Sequence, residues 1–245
     1  MNRKYVLTIL TLLIALMLLV GAAGCTEPAS STSDSDSEDA TATAEAAEGT
    51  EFGVRVPTAY VVTTGTGQSD DGIPPDPYET FSYDLALQEA GIENFNVVPY
   101  TSVLPKESYE VDRKEAEETY HHGAVLESIM AKAGGVQGDT IVAGVGRVWA
   151  VNPDTGEEIG GFAAEYEFIY SGEKVAEEEA VKAAEVQLAR SLDHELSIRG
   201  LEQTGDKTFD VAHLNVEKKY GMALAQLGFL DFIYLDPTTM EPIEE

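Results

Sequence analysis

Between Thr26 and Glu51 the chain reads TEPASSTSDSDSEDATATAEAAEGTE, with eight acids, no base, no aromatic and no large aliphatic residue. Such a segment buries too little apolar surface to offset the entropy of ordering it, and is expected to be a disordered acidic tether over 25–52. Any fold is thereby confined to residues 53–245, a length suited to one domain with a sizeable core. Over the whole chain, 15 basic side chains face 44 acidic ones, a net charge of -29. A nucleic-acid partner is excluded, because a phosphate backbone needs a basic face. The acidic excess is spread along the chain, a pattern that suits solubility in salt or attraction of a small cation. A single cysteine rules out a disulfide framework and a thiolate zinc cluster.

The N-terminus reads as an address. Asn2-Arg3-Lys4 precedes an apolar run from Tyr5 to Val20 and then Gly21-Ala22-Ala23-Gly24-Cys25. A basic cap, a greasy stretch and small residues describe a secretory signal peptide over 1–24. The apolar run falls short of the roughly 20 residues a spanning helix needs. Ala-Ala-Gly before Cys25 resembles the lipobox of prokaryotic lipoproteins, in which the cysteine becomes the lipidated first residue. Ala22 stands where the commonest form has leucine. The alternative is an uncleaved signal anchor. Both place the folded part outside the cytoplasm, tethered to the membrane.

Within the domain, Val54 to Thr64 is β-branched and aromatic and breaks at Gly65-Thr66-Gly67, which reads as strand and turn. A helix is expected from Glu79 to Ala90, stopped by Gly91. Phe95 to Pro99 reads as a short buried strand. Thr140 to Val151 and Ile159 to Tyr170 read as long strands joined by a turn at Asn152–Gly156. Lys174 to Leu196 is the clearest helix, with Val181, Ala184, Leu188 and Leu192 at three- and four-residue spacing. Phe209–Val216 and Gly221–Tyr234 complete the strands. Helices that come singly between groups of strands indicate an α+β fold with a large, mostly antiparallel sheet.

Most familiar chemistry is missing. His121, His122, His194 and His213 form no HExxH or HxH spacing, so no metal site is expected. Gly144-Val145-Gly146 lies inside a strand and lacks the third glycine of a dinucleotide fingerprint; close backbone approach is the simpler reading. No serine sits in a GxSxG elbow. What remains is AGIENFNVVPYTSVLP, from Ala90 to Pro105, where a strand meets an abrupt Pro-Tyr-Thr-Ser.

This segment carries a resemblance. FSYDLALQEAGIENFNVVPYTSVLP (Phe81–Pro105) is similar to the pyruvoyl-dependent arginine decarboxylases. Asp84, Asn96, Thr101 and Ser102 take, without a gap, the family's places for a helix Asp, a strand Asn and a Thr-Ser pair before hydrophobic-Leu-Pro. A second block, GGFAAEYEF, matches the apolar-Glu-Tyr-Glu strand and places the catalytic acid at Glu165. A third, NVEKKYGMALAQLGF, matches the closing strand. Three blocks in order, within about Val56 to Phe232, make the resemblance specific. Between the first two, ESYEVDRKEAEETYHHG is longer and more charged than the family pattern, and the signal and tether are foreign to it.

The resemblance implies a four-layer αββα sandwich, like that of the pyruvoyl-dependent histidine and arginine decarboxylases. It implies a homotrimer of processed αβ units with sites at subunit interfaces. It also implies a covalent pyruvoyl cofactor made from Ser102, with neither metal nor pyridoxal phosphate. A decarboxylase must delocalise the electrons left when carbon dioxide departs, which no side chain can do. Ser102 Oγ can attack the Thr101 carbonyl through a five-membered ring, with Asn96, at the family's self-processing position, serving the oxyanion. The chain would divide into a β fragment ending at Thr101 and an α fragment over 102–245. Glu165 would be the proton donor, its pKa raised by burial, though Glu167 shares its face. Asp84 would grip the arginine guanidinium with paired hydrogen bonds. The activity implied is decarboxylation of L-arginine to agmatine. The alternatives are another amino-acid substrate such as histidine, or a non-catalytic lipoprotein binding module on the same fold.

Overall fold

The computed structural model describes residues 54–236 and 238–243; the signal segment, Cys25 and the acidic tether lie outside them. In chain order the elements are β1 (Val54–Pro57), β2 (Ala59–Ser69), α1 (Phe81–Ala90), β3 (Asn96–Pro99), β4 (Val103–Leu104), β5 (Tyr109–Glu110) and α2 (Arg113–Glu117). There follow β6 (Val125–Val136), β7 (Thr140–Val151), β8 (Glu158–Tyr170), α3 (Glu177–Ser197), β9 (Glu202–Asn215), β10 (Tyr220–Phe229) and β11 (Phe232–Leu235).

The strands form a five-stranded sheet in the order β3-β6-β10-β2-β5, a four-stranded sheet in the order β4-β8-β7-β9, and a β1-β11 ribbon. All pairs are antiparallel except β3 with β6 and β5 with β2. The mixed α/β architecture with mostly antiparallel sheets matches the expected class. The two larger sheets meet through small side chains. Ala131, Ala133, Ala223 and Ala225 of one pack on Ile141, Ala143, Val145 and Ala212 of the other. Short side chains on both inner faces let the sheets approach closely.

The two longer helices, α1 and α3, each pack on one of the two larger sheets. On α3, Leu188, Leu192 and Leu196 recur every four residues and pack on Val148, Ala150, Phe162 and Ala164, while Ala180 and Ala184 pack on Val142. Each fully buried leucine stabilises by about 2 kcal/mol. Glu177, Glu178 and Glu179 in the first turn favour the helix dipole. On the five-stranded sheet, Ala86 and Ala90 of α1 pack on Leu126, Met222 and Leu224. Gly91 ends α1 with φ of 74°, and Ile92 N–H returns to the Leu87 carbonyl at 3.0 Å, closing a Schellman cap.

Several boundaries differ from the sequence reading. Gly65-Thr66-Gly67 is no turn: β2 runs through it to Ser69. A Cβ at Gly65 would collide with the Ala86 carbonyl, so the glycines exist to let α1 lie directly on the strand. Strand β3 is largely exposed rather than buried, because it forms the rim of its sheet. The segment 221–234 divides into β10 and β11, which belong to different sheets. Strand β6 was not anticipated, since Lys132 and Gly134-Gly135 interrupt its apolar alternation. The Gly144-Val145-Gly146 reading holds, with Leu188 of α3 seated against both glycines.

Candidate active site

The chain changes sheets between β3 and β4. Strand β3 runs parallel to β6, ending with Pro99 opposite Ser128. Strand β4 lies in the other sheet, with Val103 opposite Phe162 and Leu104 opposite Gly161 of β8. Tyr100, Thr101 and Ser102 make the crossing. Pro99 is tolerated because β3 is a rim strand needing no further N–H. Strand β4 reaches β8 because Gly160 has φ of +117° and no Cβ to meet the Leu104 carbonyl.

The crossing is pinned on both sides of one peptide bond. Tyr100 N–H donates to the Ser128 carbonyl at 2.8 Å, and the Ser102 carbonyl accepts from Ala163 N–H at 2.8 Å. Thr101 between them is exposed, and no backbone hydrogen bond to it is found among the described residues. Breaking the Thr101–Ser102 bond would therefore interrupt neither sheet. The carboxyl side would remain on β6 and the amino side on β8.

Strand β3 pairs with β6 only as far as Ser128, which leaves the amides of Met130 and Lys132 at an open rim. Two carboxylates of β8 fill it. Met130 N–H donates to Glu165, and Lys132 N–H donates to Glu167 at 2.7 Å. Both side chains lie on one side of β8, as the sequence indicated, and that side faces β6. Glu165 stands two residues beyond Ala163, roughly 7 Å along the strand from the pinned Ser102, and Glu167 about twice as far. Glu165 is exposed, yet partial desolvation of its carboxyl against the β6 rim raises its pKa; the Met130 amide opposes this, and the negative charge of Glu167 adds to it. A carboxyl placed so is suited to hold a proton and deliver it.

Lys132 does not neutralise the carboxylates. Its ammonium pairs with Glu79 at 2.8 Å and sits 4.9 Å over the Tyr83 ring. Tyr83 in turn donates to Met130 Sδ at 3.7 Å. The next residue, Asp84, lies exposed on α1, its N–H bonded to the Thr80 carbonyl at 2.8 Å. The helix thus places Asp84 beside the residues that back the open rim. Among the described residues no hydrogen bond or ion pair links it to Ser102 or Glu165.

Asn96 is at the far end of β3. Its amide donates to the Gly123 carbonyl at 2.9 Å, and the extended strand separates it from Thr101 by roughly 16 Å. Within one chain, then, Ser102 and Glu165 come together while Asn96 and Asp84 stand apart from them. No group of three or more histidine, cysteine or acidic side chains is placed to hold a metal among the described residues.

A family model described as pyruvoyl-dependent arginine decarboxylase matches residues 59–234, spanning both the crossing and the acid-bearing strand. The chain belongs to the pyruvoyl-dependent arginine decarboxylase family. Two curated relatives are named pyruvoyl-dependent arginine decarboxylase AaxB. That of Chlamydia caviae is 45% identical over 196 residues, 78% of this chain and 99% of the relative. That of Chlamydia pneumoniae is 44% identical over 192 residues, 76% of this chain and 97% of the relative. Pyruvoyl-dependent arginine decarboxylase 2 of Archaeoglobus fulgidus is 32% identical over 136 residues, 54% of this chain and 77% of the relative.

The family implies a covalent pyruvoyl group, and the crossing fits one. The carbonyl anchored to Ala163 and the unanchored Thr101 on its amino side supply a fixed acceptor end and a free leaving end. Sequence reasoning did not find the groups behind the crossing: the amides of Met130 and Lys132, and the side chain of Glu127, which accepts from the Tyr100 hydroxyl and pairs with Arg55. No local motif marks them, because sheet pairing alone brings them there.

Proposed function

We propose that this chain cleaves itself between Thr101 and Ser102 and then decarboxylates L-arginine to agmatine and carbon dioxide. The observation that carries the reading is the scissile bond's position, anchored on both flanks at a sheet crossing and two β8 residues from Glu165. Ser102 Oγ attacks the Thr101 carbonyl carbon, the C–N bond breaks, and the hydroxyl proton passes to the nitrogen, giving an ester and a free amine. β-Elimination then removes the α-proton of residue 102 and releases the Thr101 carboxylate, and the resulting dehydroalanine, as its imine, takes up water and loses ammonia to leave a ketone. That group, when present, supplies the electron sink that decarboxylation needs and that no side chain offers. Ala163 N–H orients residue 102. Glu165 keeps a proton above the ordinary glutamate range and returns it to the substrate α-carbon.

Asp84 is assigned to the guanidinium, for which a carboxylate offers two parallel acceptors. Asn96 is assigned to self-processing. Both require an approach that a single chain does not make, so we place the working site in a homotrimer of processed units. Val98 and Val103 support this, being 42% and 56% exposed beside the crossing as apolar surface for a neighbour to cover. The fold reading that accompanies it is the four-layer αββα sandwich over 53–245, and the N-terminal reading is a membrane-tethered lipoprotein with Cys25 lipidated. Light scattering of the purified protein reports the assembly, and intact mass of membrane-extracted protein reports the lipid.

The deciding assay is carbon dioxide release from arginine, histidine and lysine by purified protein. Arginine should be turned over and histidine not. Preference for an uncharged substrate would overturn the role of Asp84, and absence of turnover with any of them would overturn the enzyme reading.

A further inference from the structure

Tyr100, the residue before the scissile pair's Thr101, is held by its side chain as well as its backbone. Its ring packs on Phe229 at 5.6 Å between centroids, and its hydroxyl donates to Glu127 Oε2 at 2.6 Å. Glu127 is inner-facing on β6, with a side chain only 12% exposed, and its other oxygen pairs with Arg55 of β1 at 2.7 Å. The Arg55 guanidinium rests 3.7 Å over the Phe232 ring of β11. A continuous chain of contacts thus runs from the β1-β11 ribbon through Arg55 and Glu127 to the residue that precedes the cleavage pair. The decarboxylation chemistry described above uses none of these side chains.

We propose that Tyr100, Glu127 and Arg55 form a clamp that holds the Thr101 carbonyl in register for attack by Ser102, making them positioning residues for self-cleavage and not for decarboxylation. The inference rests on the reading that cleavage occurs at Thr101–Ser102. An acyl shift through a five-membered ring needs the hydroxyl and carbonyl carbon in near-attack geometry, and free rotation about the Tyr100 backbone would dilute it. The backbone bond to Ser128 fixes one atom of Tyr100; the hydroxyl bond to Glu127 fixes the far end of the side chain, and two anchors remove that rotation. Burial and the bond to Glu127 push the Tyr100 phenol up to about 12, so it remains a donor throughout the physiological range. The Arg55 charge holds Glu127 in its acceptor pose. Once the bond breaks, Tyr100 stays on the five-stranded sheet as part of the fragment ending at Thr101, while residue 102 and Glu165 stay on the other sheet. The clamp therefore has no part in turnover.

The test separates the two rates. Freshly synthesised precursor is followed by intact mass for fragment appearance, and turnover of the processed fraction is normalised to ketone titrated with a hydrazine. Tyr100→Phe and Glu127→Ala should slow cleavage by about 10- to 100-fold, with turnover per ketone within about twofold of wild type. Glu127→Gln, whose amide oxygen can still accept from Tyr100, should recover part of the cleavage rate lost in Glu127→Ala. Melting temperatures measured in the uncleavable Ser102→Ala background control for general unfolding. Cleavage of Tyr100→Phe at the wild-type rate would overturn the clamp. So would a loss of turnover per ketone that keeps step with the loss of cleavage. A wild-type chain that never cleaves would overturn the self-cleavage reading itself, and the clamp with it.

Discussion

The two lateral rims of the paired sheets carry carboxylates in opposite circumstances. At the rim formed by β5 and β9, Glu110 and Asp210 converge on Arg147, whose side chain is 9% exposed, with bonds of 2.5 and 2.7 Å. Burial disfavours the Arg147 charge, but the bond to Asp210 and the charge of Glu110 outweigh it, and its pKa is raised. At the rim where β3 and β4 stop, Glu165 and Glu167 have backbone amides as partners and no cation paired with them among the described residues. Charge is matched at one rim and left unmatched at the other. The first arrangement locks strands together. The second leaves a carboxyl of raised pKa two β8 residues from the β3–β4 crossing.

The sharpest way to break this contrast is at the crossing itself. Ser102→Ala should leave a single uncleaved polypeptide with no detectable decarboxylation, while the matched rim keeps the fold intact; denaturing gels and carbon dioxide release check both. Next in size, Glu165→Gln should still cleave but lose about 10²- to 10⁴-fold in turnover. The donor must be protonated, and its pKa is raised, so wild-type activity should persist above the ordinary glutamate range and fall as pH climbs through the raised value. That falling limb should vanish in Glu165→Gln. In the Ser102→Ala precursor the same shift predicts stability lost as pH rises from the ordinary glutamate range, since the folded state binds the proton more tightly, and Glu165→Gln should flatten the slope.

At the opposite rim, Arg147→Met should cost about 2–3 kcal/mol by urea denaturation, less than a fully buried pair because Glu110 and Asp210 are partly solvated. Turnover per ketone should scarcely move. The smallest effect is expected from Glu167→Gln, which can still accept from Lys132 N–H. Its activity should stay within about threefold of wild type, and a loss equal to that of Glu165→Gln would remove the distinction between the two carboxylates.

Legibility in the sequence followed the range of the interactions involved. Helix α3 was legible from Val181, Ala184, Leu188 and Leu192, because helical spacing is local; Gly91 marked the end of α1 for the same reason. The β7–β8 hairpin could be read from the turn around Asn152–Gly156. Gly65 and Gly67 misled, since their purpose is contact with a helix some twenty residues later, and the local signal of a glycine pair is a turn. In the site, Ser102 and Glu165 were singled out by family resemblance, not by any pattern of spacing. The clamp was illegible on either ground: Arg55 and Glu127 are 72 residues apart and Tyr100 and Glu127 27 apart, and it takes the pairing of β3 with β6 to bring Tyr100 to Glu127 and the β1-β11 ribbon to bring Arg55 there.

Intact-mass spectrometry of the purified, folded protein tests the central claim most directly. The account predicts two polypeptides, one ending at Thr101 and one of residues 102–245 whose first residue is a ketone that reacts with hydrazine. A single polypeptide that spans Thr101–Ser102 and takes up no hydrazine, even after prolonged incubation, would contradict it.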